Sequence, residues 1–170
     1  MRLSEFLMRL LPNSWVCGIS TLGPVGYWGK APGTLGSFAG LIWYTVFFHP
    51  LQDHLFLYLV LNFFFIGFAV LVCGEAEKRF QTKDPSFIIL DEFISIPVCF
   101  WGVFYFLPPN FPVWIILLIG FLLFRFFDIL KPFGISKLQV YPHGKGVVYD
   151  DLAAAGASCV CLHIGVLFLM

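Results

Sequence analysis

Apolar runs separated by short polar connections dominate the chain from residue 35 to its end. Each run predicts a helix, and a membrane-crossing helix needs about 20 apolar residues. The first run is short for a crossing, and the third is interrupted by Asp91, Glu92 and Pro97. These two are therefore compatible with half-buried segments as well as with full crossings. The runs cover residues 35–48, 55–73, 87–107, 113–127 and 152–170.

The first twelve residues show a different pattern, with apolar and charged side chains on opposite helical faces. Leu3, Phe6, Leu7 and Leu10 fall on one face, and Arg9 lies largely on the other. The pattern predicts either an amphipathic helix on the membrane surface or a helix packed on the protein. We therefore expect an all-α fold: a compact, single-domain membrane bundle spanning 1–170, with four or five membrane-embedded helices and an N-terminal amphipathic helix at 1–12.

Composition supports lipid as the solvent for much of this surface. Hydrophobic residues make up 59% of the chain and charged residues 12%, with a mean hydropathy of +0.89. Soluble domains carry about 25% charged residues. The net charge is zero and there is no basic tract, so a nucleic-acid partner is not expected. The five cysteines form no C-x-x-C pair, which favours neither a disulfide framework nor a zinc site.

Charge is distributed unevenly along the chain. If the apolar runs alternate in direction, all ten Lys and Arg residues fall on one side of the membrane. The positive-inside rule assigns that side to the cytoplasm. The stretch from 124 to 151 holds seven of the twenty charges of the chain, and together with the connection at 74–92 it would face the cytoplasm.

Six carboxylates and several cations therefore converge at one membrane face. Carboxylates, waters and substrate phosphates are the ligands that Mg²⁺ prefers, and Arg or Lys side chains can hold phosphate oxygens. The competing interpretation is a set of structural salt bridges among helix ends. In a chain with so few charges, a shared function is the better explanation. The residues are Asp84, Asp91, Glu92, Asp128, Asp150 and Asp151, with Arg125, Lys131 and Lys145 as the cations.

The stretch GKAPGTLGS, at 29–37, combines a lysine, glycines and hydroxyl side chains just before the first apolar run. Backbone N–H groups beside glycines and a helix start can bind an anion. The alternative is an ordinary hydroxyl N-cap after a turn. The candidate phosphate-binding residues here are Lys30, Gly33, Thr34, Gly36 and Ser37.

Three further expectations concern single positions. Asp84, followed by Pro85, is expected to cap a helix, and Asp150 with Asp151 to open the last helix. His143 is a candidate general acid or phosphate ligand, with a structural role at least as probable for a lone loop histidine. Cys73 and Arg79 have the spacing of cysteine phosphatases, but the intervening GEAEK is acidic, and helix ion pairs explain it better.

Four motifs in this order are similar to those of the phosphatidylglycerophosphatase A family: APGTLGS, DPSFIILDE, FRFFDILKP and HGKGVVYDD. The resemblance covers roughly residues 20–160. It implies a compact helical bundle and Mg²⁺-dependent hydrolysis of phosphatidylglycerophosphate to phosphatidylglycerol. Carried over by position, it implicates Gly33, Thr34, Gly36, Ser37, Asp84, Asp91, Glu92, Arg125, Asp128, Lys131, Pro132, His143, Gly144, Gly146, Asp150 and Asp151.

These observations assign roles as follows. We expect Asp91, Glu92, Asp128 and Asp151 to hold Mg²⁺, and Lys30, Gly33, Thr34, Gly36, Ser37 and Lys145 to bind substrate phosphate. Asp84, Arg125, Lys131, His143 and Asp150 are the expected catalytic residues. The expected location is the bacterial inner membrane, with the site facing the cytoplasm. A non-enzymatic ion carrier and a phosphatase for phosphatidate remain alternatives, and the oligomeric state stays open.

Overall fold

The computed structural model describes residues 10–108, 110–142 and 144–168. Across these ranges the chain forms helices and turns, with no strand. This confirms the predicted all-α class. The N-terminal amphipathic helix falls mostly outside the described residues. The helices are α1 (Asn13–Ser20), α2 (Pro32–Trp43), α3 (Leu55–Phe80), α4 (Leu90–Ser95), α5 (Val113–Leu130) and α6 (Lys145–Leu167).

Within the described ranges, three helices are long and apolar enough to cross a membrane: α3, α5 and α6. Their apolar side chains face outward in large number, as Phe56, Phe64 and Leu122 illustrate. Such a surface is suited to lipid rather than to water. The predicted count of four or five embedded helices is thus approximate, because the remaining apolar runs are built from shorter pieces.

The run at 87–107 is the clearest example of a broken segment. It consists of α4 and two 3₁₀ turns, Ile96–Phe100 and Val103–Phe106. Pro97 has no N–H to continue the α-helical ladder, and Gly102 has a φ of +71°. Residues 94–100 are buried, so this broken segment lies inside the bundle rather than against lipid.

Helix α2 begins at Pro32, in the first-turn position that proline favours, and continues into a π-helical turn, Tyr44–Phe48. Two of its glycines face the α4 segment closely. A Cβ on Gly36 would lie 2.8 Å from Ile89 Cβ, and one on Gly40 would lie 2.6 Å from the Phe93 carbonyl oxygen. Their spacing of four residues therefore permits this close helix contact.

Two buried apolar clusters hold the helices together. One includes Tyr44, Phe100 and Phe124, and the other includes Val72 and Ile94. Helix α6 packs against α5 along a small-residue stretch in which Ala154, Ala155 and Ser158 are fully buried. The packing brings five helix ends together at one end of the bundle: the starts of α2, α4 and α6 and the ends of α3 and α5.

Candidate active site

A cavity of about 210 Å³ lies at this end of the bundle. Four separate segments contribute its walls, and most of the lining side chains are polar or charged. Such a concentration is exceptional in a chain with only 12% charged residues. The lining residues are Pro32, Gly33, Asp84, Ser86, Ile88, Asp91, Glu92, Arg125, Asp128, Lys131, Val147, Asp150 and Asp151.

Asp91 and Glu92, in the first turn of α4, meet Asp151 from α6. One carboxylate oxygen from each of the three lies within 4.8 Å of the other two. Asp91 is 4% exposed and Asp151 is 3% exposed, so water cannot hydrate these groups freely. We call Asp91, Glu92 and Asp151 the carboxylate trio.

Each carboxylate of the trio has one buried oxygen that accepts no hydrogen bond from the described residues. Asp91 Oδ1, Glu92 Oε2 and Asp151 Oδ2 are buried without a hydrogen-bond partner. Burial, and then the charge of Glu92, raise the pKa of Asp91 well above its usual range. Burial, and then the charge of Asp151, do the same to the pKa of Glu92. Three hard oxygen donors with unused lone pairs fit a divalent cation of the Mg²⁺ type.

A second group of side chains lines the same cavity, and its opposite charges pair with one another. Arg125 Nη1 donates to Asp128 Oδ2 at 2.6 Å and to Ser37 Oγ at 3.0 Å. Lys131 Nζ lies 3.9 Å from Asp128 Oδ1 and also bonds Asp150 Oδ2. We call Arg125, Asp128, Lys131 and Asp150 the ion-paired group.

Lys131 is positioned by the end of α5. It adopts a left-handed conformation, with φ at +43°, and Pro132 follows it, so the helix stops there. Burial alone would lower the pKa of Lys131, but the hydrogen bond and charge of Asp150 outweigh it and raise the pKa. Lys131 is therefore held as a cation at the cavity wall.

Gly33, in the first turn of α2, touches the trio. A Cβ at this position would overlap Glu92 Oε1, and it would lie 3.6 Å from Arg125 Nη1. A side chain at position 33 would therefore require the Glu92 carboxylate to move. Ser37 Oγ, one turn further on, donates to the Gly33 carbonyl at 2.7 Å while accepting from Arg125.

The local structure corrects three expectations. Thr34 and Ser37 lie inside α2 and not in a loop before it, because Pro32 starts the helix earlier, after Ala31. Asp84 does not cap a helix: it has a φ of +49° in a loop, and α4 begins at Leu90. Asp150 and Asp151 do not open α6, which begins at Lys145, so both lie in its second turn.

The predicted site residues divide between those that the fold brings together and those that it does not. Lys30 is exposed and Lys145 is half-buried, and neither lines the cavity. Thr34 and Gly36 lie in α2 beside the cavity, behind Gly33. The prediction for His143 falls on a residue outside the described ranges.

The spacing of Cys73 and Arg79 does not form a cysteine-phosphatase site. Cys73 is fully buried inside α3 and does not line the cavity. Glu75 instead pairs with Arg79 at 3.2 Å and with Lys78 at 3.5 Å. These are the helix ion pairs that the sequence favours.

Ser86 and Val147 line the cavity although sequence reasoning did not single them out. Ser86 stands between Asp84 and the Asp91–Glu92 pair, and this proximity in sequence was the available signal. Nothing in the sequence pointed to Val147, because an apolar residue near a helix start normally belongs to the hydrophobic core.

An unpaired acidic trio and a fixed pair of cations line one small cavity in an apolar helical bundle. Carboxylate oxygens can hold a hard cation, and Arg125 with Lys131 can bind an anion. The fold and the site together define a class of protein: a membrane-embedded enzyme that acts on a charged group at the end of its bundle.

The sequence model of phosphatidylglycerophosphatase A matches residues 18–166. The chain belongs to the phosphatidylglycerophosphatase A family, and it is a phosphatase of the membrane. This confirms the family resemblance seen in its motifs.

Three relatives illustrate the range of names within this similarity. The phosphatidylglycerophosphatase A of Escherichia coli is 33% identical over 78% of this chain and 72% of its own length. The phosphatidylglycerophosphatase A of Haemophilus influenzae is 36% identical over 74% of this chain and 72% of its own length. A protein of Bacteroides thetaiotaomicron with the provisional name phosphatidylinositol-3-phosphatase is 29% identical over 96% of both chains. No solved structure matches the chain significantly.

Proposed function

We propose that this protein is an Mg²⁺-dependent phosphatase that hydrolyses phosphatidylglycerophosphate to phosphatidylglycerol and phosphate. Family membership supports the substrate. The observation that carries the metal dependence is the carboxylate trio, whose three buried oxygens lack partners. A buried carboxylate without a cation is costly, and a divalent ion would satisfy all three at once.

The trio would hold the ion, with Asp128 close by. Bound Mg²⁺ would polarise the phosphoryl group and lower the pKa of a water molecule. Asp128 Oδ2 is already engaged by Arg125. We therefore assign Asp128 first to positioning Arg125, and its role as a direct ligand remains a prediction.

Arg125 and Lys131 would bind the phosphoryl oxygens and stabilise the charge that develops on them. Both are held in place before substrate arrives, Arg125 by Ser37 and Asp128, and Lys131 by Asp150. Preorganised donors cost little reorganisation during the reaction. Asp150 Oδ1 and Asp84 are acceptors at the same cavity and are our candidates for moving protons.

The size of the cavity fits a head group and not a whole lipid. Its volume, about 210 Å³, is smaller than the ~300–1,000 Å³ usual for drug-sized ligands. The acyl chains would therefore remain outside, against the apolar faces of the bundle. We place the cavity at the cytoplasmic surface of a bacterial inner membrane, because Arg125, Lys131 and most other cations of the chain gather at that end.

The test is phosphate release by purified protein from vesicles that contain one lipid phosphate at a time. We expect release from phosphatidylglycerophosphate with Mg²⁺ and none with excess EDTA. Release that is unchanged by EDTA would contradict the metal dependence. If the folded protein released no phosphate from any lipid phosphate, the proposed function would be contradicted and the ion-carrier alternative would be favoured.

Two other lipids are to be assayed beside it. Phosphatidylinositol 3-phosphate tests the activity named for the Bacteroides relative, and phosphatidate tests the shorter head group. A preference for either would reassign the substrate while leaving the chemistry in place. Asp128→Asn should abolish turnover without preventing membrane insertion, and wild-type turnover in that variant would remove Asp128 from the mechanism.

A further inference from the structure

Glu77, near the end of α3, belongs to neither acidic group of the cavity, yet it contacts two of the segments that build the site. Its Oε1 accepts a hydrogen bond from the Asp84 backbone N–H at 3.1 Å. Its Oε2 accepts one from the Gly144 backbone N–H at 3.0 Å. One carboxylate thus joins the end of α3 to two loops that are 60 residues apart in sequence.

Both of these loops have a left-handed backbone conformation at the residue whose N–H Glu77 binds. Asp84 has a φ of +49°, and Gly144 has a φ of +73°, which a glycine adopts readily. Asp84 is not a glycine, and a left-handed conformation costs it free energy unless its surroundings hold it there. A carboxylate that accepts from backbone N–H groups makes a charge-assisted bond, about twice as strong as a neutral one.

The two loops lead directly to site residues. Asp84 lines the cavity itself, and its Oδ2 accepts from Gln139 Nε2 at 2.9 Å. Gly144 is the residue before α6, so its position sets where Asp150 and Asp151 lie two turns later. Gly144 also packs directly on the α3 backbone, where a Cβ would overlap Gly74.

We propose that Glu77 is a positioning residue, which fixes the Asp84 loop and the start of α6 relative to α3 and thereby sets the geometry of the cavity. Glu77 does not itself line the cavity. The catalytic consequence rests on the proposed phosphatase function, whereas the contact itself does not.

Three variants test the inference. Glu77→Ala removes both acceptors, and Glu77→Gln keeps the shape and one carbonyl oxygen. Glu75→Gln is the matched control, because Glu75 lies in the same helix, pairs with Lys78 and Arg79, and makes no hydrogen bond to either loop within the described residues. Hydrogen–deuterium exchange in detergent reports the contacts directly, and kcat and KM on phosphatidylglycerophosphate report the function.

Glu77→Ala should speed exchange in peptides covering 82–85 and 144–147 and leave the peptides of α1 unchanged. Its kcat should fall about 10–100-fold, as for other residues that orient a site through hydrogen bonds, with KM nearly constant. Glu77→Gln should lie between Glu77→Ala and wild type, and Glu75→Gln should match wild type in both readouts.

A double-mutant cycle separates positioning from general stability. In an Asp84→Asn background, Glu77→Ala should lower kcat by much less than it does alone, because part of its effect passes through Asp84. Fully additive losses, unchanged exchange in both loops, or a wild-type kcat in Glu77→Ala would each overturn the proposal. If the wild-type protein released no phosphate, the proposed function would fail, and exchange at the two loops would still decide whether Glu77 anchors them.

Discussion

The carboxylate trio and the ion-paired group share one cavity but solve the problem of buried charge in opposite ways. Within the ion-paired group, Arg125 and Lys131 compensate Asp128 and Asp150 directly. The trio has three acidic side chains with an unpartnered oxygen each and no cation in contact among the described residues. A compensated cluster stabilises the fold and fixes its donors, whereas an uncompensated one is kept only where a ligand completes it.

The largest expected effect comes from removing a charge from the trio. Asp151→Asn should lower phosphate release about 10³-fold or more, because the cation that the trio would hold loses an anionic ligand and with it part of the electrostatic stabilisation of the transition state. In EDTA the same variant should unfold at a higher temperature than wild type, because one of three like charges is gone. Activity assays and thermal unfolding in detergent measure the two effects.

A loss of activity together with a gain in metal-free stability is the result expected of a ligand-binding site. If Asp151→Asn lost stability in EDTA, a further contact would be compensating the charge of the trio. Wild-type activity in the variant would remove the trio from the mechanism.

The ion-paired group should respond differently, with stability and activity falling together. Lys131→Met leaves Asp150 buried beside an apolar side chain. A lost buried partner costs 3–5 kcal/mol, and the partial exposure of Lys131 reduces this to about 2 kcal/mol. Turnover should fall about 10²-fold, since one donor to the phosphoryl group is lost.

The double variant Lys131→Met/Asp150→Asn sharpens this prediction. It should recover most of the lost stability, because the buried charge is gone, and none of the turnover. Denaturant unfolding alongside phosphate release separates the two readouts. Recovered turnover would show that Lys131 acts only as the counter-charge of Asp150.

A smaller effect is expected where α2 touches the trio. Gly33→Ala places a methyl group onto Glu92 Oε1 and should lower turnover about 10-fold by displacing that carboxylate. Gly156→Ala on α6 is the matched control, because no atom lies within 4 Å of its added Cβ. It should keep wild-type turnover and gain up to about 1 kcal/mol of stability. Equal losses in both variants would indicate a general packing defect.

The smallest effect is expected for Cys73→Ala. Cys73 is fully buried and does not itself line the cavity, so turnover should stay within about twofold of wild type while stability falls by about 1 kcal/mol. Complete loss of phosphate release from a folded Cys73→Ala protein would revive the cysteine-phosphatase interpretation and set both acidic groups aside.

The sequence predicted the apolar architecture well, because lipid exposure leaves long uninterrupted runs such as those of α3 and α5. It also predicted that Asp91, Glu92 and Asp151 belong together, through their motifs and through the cost of burying them. The interruption of the third run at Pro97 was visible in the sequence, but its periodicity could not show that the pieces form buried 3₁₀ turns, since an apolar run has the same composition against lipid and inside a bundle.

Other features depend on tertiary contacts that leave no local pattern. Helix α6 starts before its acidic pair because Gly144 packs on α3 and turns the chain there. The left-handed conformation of Asp84 is held by Glu77 and Gln139, from distant parts of the chain. A glutamate near a charged helix end looks like a solvent-facing residue until the loops that it binds are placed beside it.

The location of Asp150 and Asp151 on α6, which follows the other described helices, has a consequence for biogenesis. While the ribosome still holds α6, the earlier segments can insert and pack, but the cavity lacks one wall and one carboxylate of the trio. Docking of α6 is therefore the event that completes the cavity. A newly made chain should stay inert toward the surrounding phospholipids until its assembly is finished.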